Sequence, residues 1–232
     1  MTRNTVEESI VPFGPKMAWF WDRVVHPLVA QPIESLELGF IKCHIGQLHD
    51  RGHMLDVGCG GGEIYVVTAE MYPALRVTGV DLSPDLIRRA NERIGYLGGR
   101  VDFVVGSATD LPFGNDTFDL VTSFGSLKLW PDRAKGLAEC TRVLKTGGHL
   151  VVLETERACK FENARAFLHD LGVPGILEPL VFALVRTWAG AVSLTSDEAR
   201  AIASNLPLTD LTVTPLAGKP FFAIEGRKAS TS

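Results

Sequence analysis

A cluster of glycines directly after a short apolar segment restricts the fold of this 232-residue chain more than any other feature. Residues 53–57 read His-Met-Leu-Asp-Val, and residues 58–62 read Gly-Cys-Gly-Gly-Gly. Glycine tolerates a left-handed backbone and lets the chain approach a ligand closely, so the pattern predicts a strand that turns tightly into a helix beside a bound molecule. A hydrophobic content of 46% with 22% charged residues is enough to build a packed core around this unit.

Strand-like and helical segments alternate through the middle of the chain. Apolar runs predict β-strands, and the stretches between them have helical spacing and begin at a proline or a capping residue, as at Ser83 and Pro84. This alternation predicts an α/β fold with a doubly wound, mostly parallel sheet that binds ligands at the carboxyl ends of its strands. The predicted strands are 53–57, 75–80, 101–105, 118–123 and 150–153, and the predicted helices are 63–71, 84–94 and 131–144, the last ended by Gly147 and Gly148.

The two ends of the chain are less regular. Helical spacing at 15–29 and 34–48 predicts an N-terminal helical cap over residues 1–50, followed by a core domain over residues 51–228. Beyond the fifth strand, the expected elements are helices at 161–171 and 196–205 and strands at 211–214 and 220–225. The apolar stretch 173–194 is expected to form a small insertion. Its most apolar part, 180–194, is too short to span a membrane and is interpreted as buried or substrate-facing, with a membrane-interface role as the alternative.

The glycine spacing distinguishes between nucleoside ligands. Dinucleotide loops follow G-x-G-x-x-G and hold a pyrophosphate on backbone N–H groups, whereas these glycines stand at 58, 60 and 62, and Glu63 occupies the place of the third glycine. A carboxylate there would repel a phosphate, and Asp56 beside the loop suits a cationic ligand. Asp81 ends the second predicted strand, 23 residues after Gly58 (81 minus 58), where a carboxylate can accept both hydroxyls of a ribose.

At these residues the chain resembles the class I S-adenosylmethionine-dependent methyltransferases, in the branch that includes small-molecule and quinone methyltransferases. The resemblance covers about residues 54–152, and it implies a Rossmann-like sheet of seven strands, the last antiparallel, with S-adenosyl-L-methionine as the cofactor. Ser107 stands where the family usually has an aspartate that recognises the adenine amino group. The cofactor-binding residues that the resemblance implies are Asp56, Gly58, Cys59, Gly60, Asp81, Leu82, Ser107, Ala108 and Ser123.

The acceptor side is less clearly marked. The loop 124–130 follows the fourth predicted strand and should lie beside the transferable methyl group. Lys128 and Trp130 in this loop are therefore candidate substrate contacts, together with Trp19 of the cap. Lys128 could orient an acidic acceptor, but we interpret it first as a solvated cation. No catalytic residue is assigned; the histidines considered and set aside as structural or exposed are His26, His44 and His169. Asp119 is expected to support the start of the fourth strand.

The net charge and the pattern of cysteines limit the kinds of substrate, cofactor and cellular location that we expect for this protein. A formal net charge of −4 without a basic stripe argues against nucleic acid as the substrate. The four cysteines have no C-x-x-C spacing, the histidines lack metal-ligand spacing, and the first residues are polar and acidic, unlike a signal peptide. We therefore expect a cytoplasmic protein with no metal and no stable membrane insertion that acts on a small molecule; a homodimer is left open.

The predicted function is methyl transfer from S-adenosyl-L-methionine to a small, rather apolar metabolite, at oxygen, nitrogen or carbon, by in-line displacement. Positioning and exclusion of water can supply much of the acceleration, so the absence of an obvious acid–base pair does not argue against an enzyme. One alternative is a non-catalytic regulatory protein that binds the same cofactor, which Ser107 and the missing base keep open. A second alternative, a nicotinamide-dependent oxidoreductase, is disfavoured by the glycine spacing and by Glu63.

Overall fold

The computed structural model describes residues 31–46, 52–97, 99–188 and 192–230. The predicted helix 15–29, which contains Trp19 and His26, lies outside these ranges. The strands are β1 (His53–Val57), β2 (Arg76–Asp81), β3 (Val101–Val105), β4 (Phe118–Phe124), β5 (Leu144–Thr155), β6 (Leu208–Pro215) and β7 (Phe221–Lys228). The helices are α1 (Gln31–Ile45), α2 (Glu63–Met71), α3 (Pro84–Arg93), α4 (Arg133–Val143), α5 (Phe161–Asp170), α6 (Glu178–Trp188) and α7 (Ser196–Ala203).

The seven strands form one sheet in the order β3-β2-β1-β4-β5-β7-β6. The pairs from β3 across to β5 are parallel, whereas β7 runs antiparallel to both β5 and β6. The prediction of a mostly parallel α/β sheet with an antiparallel last strand is confirmed. The strand order reverses between β1 and β4, so their carboxyl ends flank the switch point at which such sheets bind ligands.

Local capping chemistry explains where several helices begin. The Ser83 hydroxyl accepts a hydrogen bond from the Leu86 amide at 3.4 Å, with Pro84 as the first residue of α3. Thr195 and Glu198 form a reciprocal capping box at the start of α7. α4 begins at Arg133, two residues later than predicted, after an Asp132 cap. Caps of this type each stabilise a protein by about 1 kcal/mol.

The predicted end of the helix 131–144 at Gly147 and Gly148 is wrong. α4 ends at Val143, and β5 begins at the next residue, so both glycines lie within β5, next to a shift in its register with β4. A Cβ atom at Gly148 would lie only 2.9 Å from the Lys145 carbonyl oxygen and 3.0 Å from that of Asp119. Glycine is therefore required at position 148 because β4 and β5 approach each other closely there. In the sequence, a glycine required for this reason looks the same as a glycine that ends a helix.

Asp119 supports the amino end of β4, as expected. Its carboxylate accepts the His53 amide at 2.9 Å and pairs with Lys145 at 2.8 Å. It thereby joins the first residues of β1 and β5, at the opposite edge of the sheet from the glycine loop. These two contacts fix the register in which β1, β4 and β5 begin.

Helix α1 packs lengthwise against the sheet. Leu36 and Phe40 contact a cluster that includes Phe124 and Leu153, near the carboxyl ends of β4 and β5. The next residue, Ile41, is 1% exposed and belongs to the core cluster that includes Met54 and Leu120. Burial of such a side chain stabilises the fold by roughly 1.5–3 kcal/mol. The N-terminal cap therefore includes a helix, at 31–45 instead of 34–48, that is held by apolar contacts.

The late part of the chain contains more regular structure than predicted. α6 occupies much of the stretch 173–194, and β6 begins at Leu208 where the prediction began at 211. The early part of β6 is polar and has a register shift at which Asp210 adopts a left-handed φ of 53°. The alternation of apolar and polar residues, on which the prediction of a strand depends, is therefore interrupted in the early part of β6. Within the described ranges, every helix is too short or too polar to cross a bilayer.

Candidate functional site

Glycine is required at the three alternate positions of the loop after β1 for different structural reasons. Gly58, Gly60 and Gly62 all have left-handed φ, at 86°, 56° and 78°. A Cβ at Gly58 would lie 2.3 Å from Ser126, and one at Gly62 would lie 2.6 Å from Phe103, so these two positions are closed by packing. A Cβ at Gly60 would meet nothing within 4 Å. Gly60 therefore borders open space that a ligand can fill, directly at the carboxyl end of β1.

Asp81 lies beside that open space. One carboxylate oxygen accepts the Gly60 amide at 3.0 Å and the other accepts the Ser83 amide at 2.9 Å. Burial raises the pKa of Asp81, and the hydrogen bonds from Ser83 and Gly60 oppose this effect. An ionised carboxylate has about four lone-pair sites, so these two bonds leave each oxygen able to accept a hydroxyl. The geometry fits a vicinal diol, such as that of a ribose.

The structure weakens the argument drawn from Glu63. Its carboxylate pairs with Arg93 at 2.5 Å, and a second nitrogen of the same guanidinium donates to the Gly61 carbonyl at 2.8 Å. The negative charge of Glu63 is therefore balanced by Arg93, so it repels a phosphate less than the sequence suggested. The glycine spacing remains the argument against a pyrophosphate.

Asp56 is fully buried beneath the loop. The Thr122 hydroxyl of β4 donates to one carboxylate oxygen at 2.7 Å, and the Tyr65 hydroxyl of α2 lies close to the carboxyl without a well-formed hydrogen bond to its second oxygen. The pKa of Asp56 is raised to about 7, by burial first and by the nearby Asp81 charge, against the lowering effect of Thr122 and Tyr65. A buried carboxyl without a full set of partners favours a nearby cation. Direct contact of Asp56 with a cofactor stays a prediction.

The remaining predicted cofactor residues line the same edge. The Ser107 hydroxyl is bonded within its own turn, to the Thr109 hydroxyl at 2.9 Å and the Thr109 amide at 3.2 Å. The side chain of Cys59 is buried. Ala108 packs against the core, and Leu82 is partly buried at the end of β2. Their contacts with a cofactor stay predictions.

Ser126 joins the loop after β4 to the glycine loop, and sequence reasoning missed it. Its hydroxyl donates to the Val57 carbonyl at 2.8 Å, bonds with the Ser123 hydroxyl at 2.8 Å, and accepts the Trp130 indole N–H at 3.1 Å. It occupies the space where Gly58 lacks a side chain. Because the two residues are far apart along the chain, no spacing pattern marks Ser126; the requirement for glycine at 58 is its only trace.

Lys128 is not a solvated cation, so that interpretation was wrong. The residue is 9% exposed, and its ammonium group pairs with Glu154 at 2.8 Å and contacts the Gly125 carbonyl. Glu154 is 0% exposed and also accepts the Lys128 amide at 2.9 Å. Sequence reasoning missed Glu154 because it follows directly on the apolar run of β5. The buried pair fixes the loop after β4 to the end of that strand.

Of the two tryptophans predicted as substrate contacts, one lies in the described structure and one does not. Trp130 is 5% exposed, and its ring fills the space above Gly136, where a Cβ would lie 2.3 Å from it. Because the ring packs in the core, its burial does not support a contact between Trp130 and the acceptor. Trp19 lies outside the described residues, and its role stays a prediction.

The candidate bases are not grouped with the loop residues. His44 bonds to the Phe40 carbonyl at 2.9 Å and pairs with Glu225 at 3.3 Å, and it packs edge-on against His149 in the middle of β5. The His169 side chain is 82% exposed. In the part of the chain that the structure describes, no group of three or more histidine, cysteine or acidic side chains is arranged to hold a metal ion.

One carboxyl at the site had no signal in the sequence. Glu37 of α1 is partly buried. Burial raises its pKa to about 8, the carboxylates of Asp56 and Glu34 add to that rise, and the Lys128 ammonium opposes it. The charges of Asp56 and Lys128 therefore act on the Glu37 carboxyl. Its helix had been predicted only as a cover, without a functional residue.

Comparison with protein families and known proteins agrees with this geometry. Residues 55–152 match the family model described as "Methyltransferase domain". The chain is 34% identical over 121 residues to the ubiquinone/menaquinone biosynthesis C-methyltransferase UbiE of Geotalea daltonii, which covers 50% of this chain and 52% of the relative. It is 38% identical over 95 residues to the chloroplastic 2-methyl-6-phytyl-1,4-hydroquinone methyltransferase 1 of Oryza sativa subsp. japonica, covering 41% of this chain and 28% of that protein.

The fold is also shared with solved structures. A SAM-dependent methyltransferase from Aquifex aeolicus superposes with a TM-score of 0.63 at 16% identity, covering 92% of this chain and 98% of that one. At this identity the likeness shows the fold. The sequence matches cover about half of the length of the UbiE relative and 28% of the length of the hydroquinone methyltransferase.

Proposed function

The chain carries a methyltransferase domain on the class I, S-adenosylmethionine-dependent fold, and from that premise we propose that it transfers the cofactor's methyl group to a small, apolar acceptor. The observation that carries the proposal is the open space at Gly60 with the Asp81 carboxylate at its side. No protein atom lies within 4 Å of a Cβ at Gly60, so apart from its left-handed backbone this position leaves room for a ligand.

The residues present fit this cofactor. Asp81 would accept the ribose hydroxyls, Gly60 would let the backbone lie against the ligand, and the buried carboxyl of Asp56 would favour its positive charge. When bound, the cofactor supplies a methyl group on a sulfonium centre. The chain's own part is to orient the ligand and exclude water, which the fixed connection of Ser126 to Val57 supports by holding the two loops together.

We assign the acceptor to the apolar, ring-containing class. The names of the two relatives refer to quinone biosynthesis and to a phytyl hydroquinone. In this chain, the apolar side chains of α1 pack at the ends of β4 and β5, on the side where an acceptor would enter. The net charge of −4 supports a small molecule over a nucleic acid.

The test is a methylation screen with purified protein and S-adenosylmethionine carrying a labelled methyl group. The panel contains reduced benzoquinols and naphthoquinols with short isoprenoid chains, simple phenols, an RNA mixture and a protein extract. Label in the quinol or phenol fraction is the expected result. Label only in RNA or protein would contradict the acceptor class, while no binding of cofactor by calorimetry would contradict the proposal as a whole.

A non-catalytic cofactor-binding protein is the second candidate. The observation that favours it is the Ser107 hydroxyl, which is bonded within its own turn and stands where the family usually has an acidic adenine contact. Tight binding of S-adenosylmethionine without turnover across the whole panel would support this alternative. Binding of NADH in place of S-adenosylhomocysteine would instead support an oxidoreductase.

We also propose a cytoplasmic location. Cys59 and Cys140 are buried thiols that take part in no disulfide, as suits a reducing compartment. A homodimer stays a proposal that sedimentation analysis can test.

A further inference from the structure

Ser126 lies where two loops of the site meet. Its Cβ and Oγ atoms are both 2.3 Å from the position that a Cβ would take at Gly58, in the glycine loop where we place the methyl donor. Its hydroxyl also bonds to the carbonyl of Val57, the last residue of β1, at 2.8 Å. Ser126 itself belongs to the loop 125–130, which follows β4 at the proposed acceptor side. One short side chain therefore joins the two sides of the site.

The hydrogen bonds of the Ser126 hydroxyl can each be given a direction. A serine hydroxyl has one hydrogen to donate and two lone pairs that accept. The Val57 carbonyl can only accept, so the Ser126 hydrogen goes to it. The indole N–H of Trp130 donates to Ser126 at 3.1 Å, and the Ser123 hydroxyl must then donate to it at 2.8 Å. These three bonds use the full capacity of the hydroxyl, so its role is to hold its neighbours and not to bind a substrate.

The rest of the loop 125–130 is attached to other elements. The Gly125 amide donates to the Leu153 carbonyl of β5 at 2.8 Å, and the buried ion pair described above ties the loop to the same strand. At the end of the loop, the Trp130 ring fills the space beside Gly136 of α4. Among the hydrogen bonds of this loop in the described part of the chain, the Ser126 bond is the one that reaches β1. Ser126 therefore fixes the loop relative to the glycine loop.

We propose that Ser126 is a positioning residue that holds the loop 125–130 in register with the glycine loop, and so sets the separation between the methyl donor and the acceptor. This inference rests on the proposed function. In-line transfer needs the reacting atoms aligned at about 3–3.5 Å, and a misplacement of about 1 Å can slow a reaction about 100-fold. The bonds from Trp130 to Ser126 and from Ser126 to Val57 connect the two sides in series, so loss of the hydroxyl releases one side from the other.

The first experiment needs no acceptor. Protein labelled with fluorotryptophan gives fluorine NMR resonances, and the resonance that is missing in Trp130→Phe is assigned to Trp130. Because the Trp130 indole N–H donates to Ser126, a ligand held against the glycine loop should shift this resonance when S-adenosylhomocysteine is added. In Ser126→Ala, S-adenosylhomocysteine should still bind by calorimetry, but the shift that it causes at Trp130 should be largely lost.

The outcomes of this experiment separate the inference from the proposed function. If S-adenosylhomocysteine neither binds by calorimetry nor shifts any resonance, the cofactor assignment fails, and the positioning role fails with it. If the ligand binds but the Trp130 resonance of the wild type stays in place, the role of Ser126 is wrong, although the protein still binds the cofactor. A shift of the same size in Ser126→Ala and in the wild type would overturn the role in the same way.

The second experiment measures turnover with reduced short-chain naphthoquinols as acceptors. Ser126→Ala should lower kcat about 10–100-fold, with KM for donor and acceptor within about threefold, because the reacting groups bind but are misaligned. The ethyl donor S-adenosylethionine should lose less activity than S-adenosylmethionine, since a looser separation accommodates the larger group. The ratio of ethyl to methyl transfer should therefore rise in Ser126→Ala. An unchanged kcat, or a lower kcat with an unchanged ratio, would contradict a positioning role.

Thr141→Val is the matched control. Thr141 is 2% exposed, and its hydroxyl donates to the Leu137 carbonyl at 2.9 Å, near the end of α4 that leads into the amino end of β5. The variant removes a hydroxyl bond of similar length away from the glycine loop, so it should lower the midpoint of thermal unfolding much as Ser126→Ala does. It should leave kcat, the ratio of ethyl to methyl transfer and the ligand-induced shift of Trp130 unchanged. A loss of kcat as large as that of Ser126→Ala would show a general effect of stability and would overturn the proposal.

Discussion

The proposed donor side and the proposed acceptor side of this site are built in opposite ways. On the donor side, Gly60, Asp81 and Ser83 belong to two consecutive strand–helix turns, and two hydrogen bonds to the Asp81 carboxylate join them. On the acceptor side, Lys128 and Glu154 are 26 positions apart, and Ser126 reaches back 69 positions to Val57. The first half is a local motif, whereas the second depends on the completed sheet. Mutations should therefore separate binding of the donor from stability of the fold.

The largest expected effect is on the acceptor side. Lys128→Met removes the partner of a carboxyl that is 0% exposed, so the free energy of unfolding should fall by about 3–5 kcal/mol in urea titrations. Lys145→Met is the matched control, because its pair with Asp119 is 44% and 28% exposed. Loss of this exposed pair should cost about 0–1 kcal/mol.

A double variant sharpens the interpretation. Lys128→Met with Glu154→Gln removes both charges, so it should recover part of the lost stability. Equal unfolding free energies for Lys128→Met and Lys145→Met would contradict the picture of an acceptor side held by a buried pair.

The donor side should respond in binding rather than in stability. Gly60→Val places a side chain in the open space beside Asp81, and we expect S-adenosylmethionine to bind at least about 100-fold more weakly, a change of about 2.7 kcal/mol. The left-handed backbone adds a strain of roughly 1–2 kcal/mol. Gly172→Val controls for that strain, since Gly172 also has a left-handed φ, of 70°, with nothing within 4 Å of its Cβ position.

The two valine variants should therefore have similar unfolding free energies and very different affinities. Normal affinity in Gly60→Val would mean that the space at this glycine is not where the cofactor lies.

These differences also explain which parts of the molecule the sequence could predict. The glycine loop, β1, α2 and β3 were predicted with the bounds that the structure has, because period and turn chemistry are local signals. The bulge glycine Gly148 was misinterpreted, since close contact between strands and a helix end both call for glycine. Glu37, Ser126 and Glu154 were missed because their partners are defined only by tertiary packing.

A smaller effect is expected at the ribose contact. Asp81→Asn keeps the shape of the side chain and one acceptor oxygen, but it removes the charge that would hold the ribose hydroxyls. We expect the cofactor affinity to fall by about 1–3 kcal/mol, as for a lost hydrogen bond to a charged group. Asp85→Ala, in the first turn of α3, is the control and should leave the affinity unchanged. Equal dissociation constants for wild type and Asp81→Asn would refute the assigned role.

The smallest effect concerns the far end of α1, which is clamped by His44 and Glu225. The hydrogen bond to Glu225 raises the pKa of His44, and the same pair lowers the pKa of Glu225. The contribution of His44 to stability is therefore fully present below its unfolded pKa of 6.5 and is lost as pH rises through the higher folded value. Burial lowers the pKa of the neighbouring His149, so protonation of that ring has the opposite sign.

The comparison that isolates the clamp is His44→Gln in a His149→Gln background. Between pH 6 and 8, the parent with His44 should lose about 1 kcal/mol of unfolding free energy relative to the variant, as expected for a partly exposed charged pair. A difference that stays constant over this range would show that His44 acts by packing alone. It would then follow that this end of α1 is held to the sheet by apolar contacts, as its first turns are.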